Sequence, residues 1–510
     1  MENPFAEGES RLLRPPPTAL VIFGATGDLT QRKLLPALYN LAHDEYLPEG
    51  FVVVGAARSS LTDDEFRAAS YESIKKFSRR PVEDAVWEKF AKGLYYQAVD
   101  GNNEADFHGL KDRLATLGTE RSQNLNYLYY LSVAPSFFGA IAANLHASGL
   151  VEAPQGGSRS TSVIIEKPFG HDLDSARELN QVLRANFNES QIYRIDHYLG
   201  KETVQNILVM RFANGIFEPL WNNRFIDHIE ISVSESIGVG SRAGYFDQSG
   251  ILRDIVQNHL LQMLSLLCIE PPLSLSDANS IRDEKVKVLR SIKRLKVEDI
   301  TTSTARAQYT RGFIDGADVP GYREEKDVAP QSATETFVAM KLEIDNWRWA
   351  GVPIYVRAGK RLPKRITQIT VFFTKAPASL FRGRQVAELE QNSLTIQVQP
   401  NEGISFRINS KPPGPRMRVK GVTMDFAYGS QFGVASAEAY ERLILDAMRG
   451  DATLFIRDDE IEEAWDLLAP VLDAWNSSSP PPLYTYESGT WGPSAAAALL
   501  RPRGHRWMRL

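Results

Sequence analysis

Apolar residues fall into two textures along the chain. In the first two hundred residues, short apolar runs at 19–23, 51–55, 95–99, 125–133 and 162–166 alternate with stretches of helical spacing, such as 33–41, 136–150 and 172–183. Buried strands alternating with helices predict an α/β unit, a Rossmann-like, doubly wound parallel sheet whose ligands lie beyond its strand carboxyl ends. Beyond Lys201 the texture changes. Segments 226–233, 337–344, 367–373, 394–398 and 404–408 alternate apolar and polar residues, and helical patterns cover 250–268, 277–292, 437–448 and 459–472. This half predicts an α+β domain, a large mostly antiparallel sheet with helices on one face. The expected divisions are a disordered leader at 1–17, a Rossmann-like domain at 18–200 and an α+β domain at 201–510.

Composition narrows the class. With 43% hydrophobic and 24% charged residues over 510 positions, an ordinary globular core is expected. Lys plus Arg is 58 against 63 for Asp plus Glu, so nothing global steers the chain to nucleic acid or to an anionic membrane. Any anionic ligand must be held by a local cluster. The single cysteine, Cys268, lies in the apolar run 260–269, which excludes an internal disulfide and a cysteine-based zinc site. A buried, inert thiol is expected there. The N-terminus is polar, ends in Pro15-Pro16-Pro17 and lacks an apolar signal core, and no stretch reaches transmembrane length. A cytoplasmic protein is expected. Segments 477–482 and 495–498, with the basic end 501–506, read as a solvated tail.

The first apolar run leads into Gly24-Ala-Thr-Gly27-Asp28-Leu29 and then a helical pattern. Strand, glycine turn and helix form the context in which backbone N–H groups receive a pyrophosphate. The fingerprint is incomplete, with Thr30 in its last glycine slot, so a plain strand-to-helix turn is the alternative. The second run ends Ala56-Ala57-Arg58-Ser59, with no acid before Asp63. An acid there would take ribose hydroxyls, whereas an arginine suits a 2′-phosphate, so the pattern favours NADP over NAD. Thr62 and Glu65 have the spacing of a capping box for the next helix.

Four charged segments compete for chemistry. Lys167 follows an apolar run and precedes Pro168, which biases it towards extended backbone. In Arg194-Ile-Asp-His-Tyr-Leu-Gly-Lys-Glu202, His197 and Lys201 share a face if the segment is helical. With the Tyr198 hydroxyl they suit a phosphate clamp; the plainer alternative is an exposed helix start with ion pairs. The third segment runs from Glu235 to His259, and within it Arg253, Asp254, Gln257, Asn258 and His259 interrupt an apolar frame. Such groups need partners if buried. Asp254 and His259 would lie about 140° apart on an α-helix, so a carboxylate for His259 is expected from another segment, with Asp196 the natural candidate. The fourth segment holds Lys360 and Arg365.

Together, Gly24-Ala-Thr-Gly-Asp-Leu29, Glu166-Lys-Pro-Phe-Gly170, Arg194 to Glu202, Gly244-Tyr-Phe-Asp247, Arg253-Asp254 through Met263, and Arg357-Ala-Gly-Lys360 resemble glucose-6-phosphate dehydrogenase. The resemblance implies oxidation of glucose 6-phosphate at C1 to 6-phosphogluconolactone, with hydride passing directly to NADP and no metal. NAD is the weaker alternative. It implies His259 as general base paired with Asp196, and His197, Tyr198 and Lys201 on the substrate phosphate. Glu235, Asp254, Lys360 and Arg365 would surround the sugar, with Lys167 reaching substrate and nicotinamide. Gly24, Ala25, Thr26, Gly27, Asp28, Leu29, Arg58 and Asp100 would hold the cofactor. Phe138 stands where many relatives carry a tyrosine, so no hydroxyl contact is expected there. A homodimer or homotetramer is implied. A catalytically silent binding protein on the same fold is the competing class, and the presence of base, partner and clamp together argues against it.

Overall fold

The computed structural model describes residues 14–152, 160–377, 389–415, 418–429 and 437–510. Strand β1 (Thr18–Phe23) is apolar on both faces and buried throughout, as befits a central strand covered on both sides. It pairs in parallel with β2 (Val52–Ala57) and β4 (Asn126–Leu131). With β3 (Leu94–Ala98), β5 (Thr161–Ile165) and β6 (Ile192–Arg194) they form a parallel sheet in the order β3-β2-β1-β4-β5-β6. The order reverses between β1 and β4, so the crevice at their carboxyl ends is the favoured ligand position. Helix Asp63–Phe77 begins with the expected capping box. The Thr62 hydroxyl accepts from Glu65 N at 3.2 Å, and Thr62 N donates to the Glu65 carboxylate at 2.8 Å.

The chain divides into two bodies. The first holds the chain through Gly200 together with Leu273–Arg282 and Ala437–Glu462. A single division at 200 would leave both later segments in the second body. One of them closes the edge of the parallel sheet, where Ile456 N donates to the β6 carbonyl of Arg194 at 3.1 Å, so the edge strand is not left open. Arg14, inside the leader expected to be disordered, bonds the Glu45 carbonyl at 3.0 Å. Residues 1–13 of that leader lie outside the described residues.

The second body is built on a nine-stranded sheet, ordered β16-β15-β14-β13-β7-β12-β11-β8-β17. Its strands are β7 (Ile226–Ser234), β8 (Thr304–Thr310), β11 (Phe337–Glu343), β12 (Pro353–Gly359), β13 (Ile366–Phe373), β14 (Ser393–Gln399), β15 (Gly403–Ser410), β16 (Lys420–Ala427) and β17 (Leu483–Glu487); β9 (Gly312–Ile314) and β10 (Ala317–Val319) form a separate hairpin. Most pairs are antiparallel, but β12 runs parallel to β7 and β17 to β8.

The polar face of this sheet differs from expectation. His228, Glu230 and Ser232 of β7, Arg357 of β12, and Gln368 and Thr370 of β13 are all buried. The end of the chain covers them. Met508 N donates to Glu230 at 2.9 Å, Arg357 donates to the Met508 carbonyl at 3.2 Å, and the Arg357 guanidinium lies 4.4 Å from the Trp507 ring. The basic end expected to be a solvated tail is therefore a packed segment. Its sequence is rich in arginine, but Leu500, Trp507 and Met508 give it enough apolar area to settle on a sheet.

Candidate active site

In the first body, the candidate cofactor residues meet at the carboxyl ends of β1 to β4. Gly24 adopts φ +84°, and a Cβ there would collide with the Ser132 carbonyl. Only glycine permits both the left-handed backbone and the close approach. Thr30, standing where the fingerprint has its last glycine, donates its hydroxyl to the Gly24 carbonyl at 2.9 Å, which ties the following helical turn to the loop. A cleft of about 300 Å3 opens there, lined by Gly24, Thr26, Gly27, Arg58 and Asp100. Ala25 is buried, and Asp28 is exposed and paired with Arg32 at 2.6 Å. Neither these two nor Leu29 and Lys167 line the cleft. Asp63 is engaged elsewhere, accepting from Tyr96 N at 2.8 Å and pairing with Arg113 at 2.6 Å. Arg58 is exposed at the cleft, whose lining also carries the acid Asp100.

Sequence reasoning missed the apolar wall of this cleft, formed by Val133, Ala134, Phe137 and Ile141. Phe138 is wholly buried in the core, and its neighbour Phe137 faces the cleft. The available signal was position, since Val133 and Ala134 follow the end of β4.

The charged stretch splits by role. Arg194 is fully buried against the Glu189 carboxylate and the Asn180 side chain, the latter at 3.1 Å. It is a structural ion pair. Asp196 is 1% exposed and accepts from Tyr198 N at 2.9 Å. The His197 ring stacks on Tyr440 and lies tilted against Tyr198, with centroids 6.4 and 5.0 Å away. Tyr440 in turn hydrogen-bonds Glu166, whose other oxygen contact is the Tyr130 hydroxyl at 2.6 Å. Burial pushes Glu166 up to about 7, against the pull of Tyr130 and Lys167. Lys167, Asp196, His197 and Glu166 thus belong to one partly buried polar region of the first body.

In the second body, Glu235 and Lys360 follow the carboxyl ends of the parallel neighbours β7 and β12, and their side chains form an ion pair. The Lys360 ammonium also sits 5.0 Å from the Phe246 ring centroid. Lys201 lies 3.8 Å from Glu402, and exposed Arg365 donates to Gln399 at 3.3 Å.

Asp254 and His259 stand on a segment read from sequence as regular helix. The helix Ala243–Ile251 breaks at Gly250 (φ +69°), and Leu252–Leu260 is a π-helix. A side chain at 250 would strike Glu335, whose carboxylate accepts from Leu252 N at 3.0 Å and so anchors the start of the segment. Its continuation, helix Leu261–Cys268, ends in three donors: Arg211 and the Trp221 indole on the Leu267 carbonyl, and the Trp349 indole on that of Cys268. Because π-helical hydrogen bonds span five residues, positions five apart lie over one another. The α-helical argument that separated Asp254 from His259 therefore does not hold. They are 6% and 1% exposed. Cys268 is buried, and burial pushes its thiol up to about 12, in keeping with an inert cysteine.

Comparison with known proteins completes the picture. Residues 21–206 match the NAD binding domain of glucose-6-phosphate dehydrogenase, and residues 208–508 match its C-terminal domain. A glucose-6-phosphate 1-dehydrogenase from Aggregatibacter actinomycetemcomitans is 48% identical over 490 residues, 96% of this chain and 97% of its own. A glucose-6-phosphate 1-dehydrogenase 2 from Mycobacterium tuberculosis is 45% identical over 493 residues, covering 97% and 95%. A solved glucose-6-phosphate dehydrogenase in complex with its substrate glucose-6-phosphate has a TM-score of 0.88 at 35% identity, with 98% of this chain and 99% of that one covered. For the Mycobacterium avium structure the TM-score is 0.81 at 37% identity, covering 97% and 99%.

Proposed function

The chain belongs to the glucose-6-phosphate dehydrogenase family, and from that premise we propose that it oxidises glucose 6-phosphate at C1 to 6-phosphogluconolactone. This is the entry step of the oxidative pentose phosphate pathway. The observation that supports the reading most directly is the buried π segment Leu252–Leu260, where Asp254 and His259 share a face and are buried, with Gln257 and Asn258, among apolar side chains. Burial of such groups is costly and is not selected by core packing alone.

In this reading His259 takes the proton of the C1 hydroxyl, and Asp196 supplies the carboxylate that holds its tautomer and stabilises the imidazolium. His197, Tyr198 and Lys201 grip the phosphate. Glu235, Asp254, Lys360 and Arg365 surround the sugar, and Lys167 reaches substrate and nicotinamide. The ion pair of Lys360 with Glu235 fixes both side chains before substrate arrives, so little ordering is left for binding. A nicotinamide, when bound, would supply the acceptor for the hydride that leaves C1. NADP is the preferred form in this reading, with NAD a weaker alternative. The glycine cradle at Gly24 suits a pyrophosphate, and exposed Arg58 at the cleft suits a 2′-phosphate. Ala25, Asp28 and Leu29 serve by shaping the cofactor loop. A cytoplasmic homodimer or homotetramer belongs to the same reading; among the described residues no helix is long and apolar enough to cross a membrane.

Initial rates with glucose 6-phosphate, NADP and NAD compared side by side, provide the test. Turnover with both and a higher kcat/KM for NADP are expected. No turnover with either would sink the assignment, and equal kcat/KM values would remove the cofactor preference.

A further inference from the structure

A buried acid that the proposed mechanism does not use sits at the start of the π segment. Glu335 lies just upstream of β11 and is 5% exposed. The break at Gly250 leaves the N–H groups of Ile251 and Leu252 at a fresh helix start, without a preceding turn to bond. Glu335 takes both. Its carbonyl accepts from Ile251 N at 3.0 Å, and its carboxylate accepts from Leu252 N at 3.0 Å. Glycine at 250 is what admits the acid, since a Cβ there would lie 2.3 Å from Glu335 Oε1. Burial raises the Glu335 carboxyl above its ordinary value, opposed by the N–H groups of Leu252 and of Glu335 itself and by the charges of Arg253 and Arg306.

The next residue holds the other half of the proposed sugar site. The carbonyl of Thr336, which is fully buried, accepts from Lys360 N at 3.0 Å. Lys360 pairs with Glu235, and Glu235 N donates to the Gly359 carbonyl at 2.9 Å. Two consecutive residues of one segment therefore fix both the π segment that carries Asp254 and His259 and the Lys360–Glu235 pair. The spacing between base and sugar contacts is set by one peptide link.

We propose that Glu335 is a positioning residue for the oxidation: its carboxylate fixes the π segment relative to the Lys360–Glu235 pair, so that His259 meets the C1 hydroxyl of a sugar which that pair helps to hold. The inference rests on the function proposed above. A helical side chain moves by about 1.5 Å along the axis when its segment slips by one residue. Misplacement of a reacting group by about 1 Å can cost about 100-fold in rate, so an unanchored segment would lie outside the tolerance of the reaction.

The test is the pH dependence of kcat and of kcat/KM for glucose 6-phosphate in the wild type, Glu335→Ala, Glu335→Gln and Glu335→Asp, each well below its own Tm. Glu335→Ala should lower kcat by about 10–100-fold with KM for NADP unchanged. It should also move the acid limb of kcat/KM to lower pH, because an imidazole displaced from its carboxylate partner protonates less readily. Glu335→Gln keeps an acceptor for Leu252 N and should retain most of kcat and the wild-type limb. Glu335→Asp withdraws the carboxylate by one methylene and should fall between the two; if Glu335→Ala fails to fold, the aspartate variant decides in its place. A profile that is lowered at every pH but not displaced would overturn the inference and leave Glu335 a stabiliser only. A glutamine variant no better than alanine would overturn it as well. Absence of turnover in the wild type would sink the proposed function and this inference with it, whereas an active wild type beside an equally active Glu335→Ala would sink this inference alone.

Discussion

The two sheets set out their chemistry in different ways. In the parallel sheet the core strands are apolar on both faces, and chemistry begins where each apolar run stops: Phe23 gives way to Gly24, Ala57 to Arg58, Val99 to Asp100, Ile165 to Glu166 and Lys167. In the nine-stranded sheet, β7 sends Ile229, Ile231 and Val233 to one face and His228, Glu230 and Ser232 to the other, and all six are buried. Alternation there separates two kinds of interior, one apolar and one covered by the end of the chain. A polar strand face is thus evidence of a polar neighbour as readily as of solvent.

The largest expected effect tests the second body alone. His259→Ala should lower kcat by about 100- to 10,000-fold and leave NADP binding, measured by fluorescence titration, unchanged. Near-full turnover would remove His259 as the base.

Next is Glu166 in the first body, whose folded-state pKa of about 7 lies above its ordinary 4.5 because of burial. The proton is held more tightly in the folded chain, so this contribution to stability is complete below about pH 4.5 and is lost as pH rises through 7. The full shift corresponds to about 3 kcal/mol; the residue reaches solvent at its edge, so about 2–3 kcal/mol is expected. Denaturant unfolding across that window should show the loss in the wild type and a flatter profile in Glu166→Gln. Identical profiles would show that Glu166 is ionised throughout.

Arg58→Ala sharpens the comparison at a strand end. It should raise KM for NADP by about 10–100-fold, as for a lost charge-assisted contact, with KM for NAD little changed. Equal effects on both would remove the 2′-phosphate role. The smallest effect belongs to the covered face: deleting 505–510 should cost about 1–2 kcal/mol through the lost Met508–Glu230 bond and packing. An unchanged Tm would mean that the segment contributes nothing to the sheet.

Much of this was legible in the sequence. β1 with its glycine turn, the Thr62–Glu65 cap and the alternating strands β7, β11, β13 and β14 follow from local pattern. β12 did not, because all seven of its residues are buried and no alternation survives. The apolar wall at Phe137 and Ile141 was invisible because its residue types are those of core. The segments 273–282 and 437–462 carry no local sign that they return to the first body. Among the site residues, Lys167 stood out as a charge where a strand ends and Glu235 and Lys360 as members of charged segments, while Arg194, in the crowded stretch, has its partner Glu189 just upstream of it. The relation between Asp254 and His259 could not be read at all, since apolar spacing does not separate a π-helical turn from an α-helical one.

That π segment has an evolutionary consequence. Between the Glu335 anchor at Leu252 and the donors that close helix Leu261–Cys268, both ends are pinned. Loss of one residue outside the Asp254–His259 interval that restored α-helical pairing would leave these two about 140° apart, whereas loss of one between them would leave them four apart and on one face. The segment should therefore accept exchange of one apolar side chain for another more readily than a change in length outside that interval.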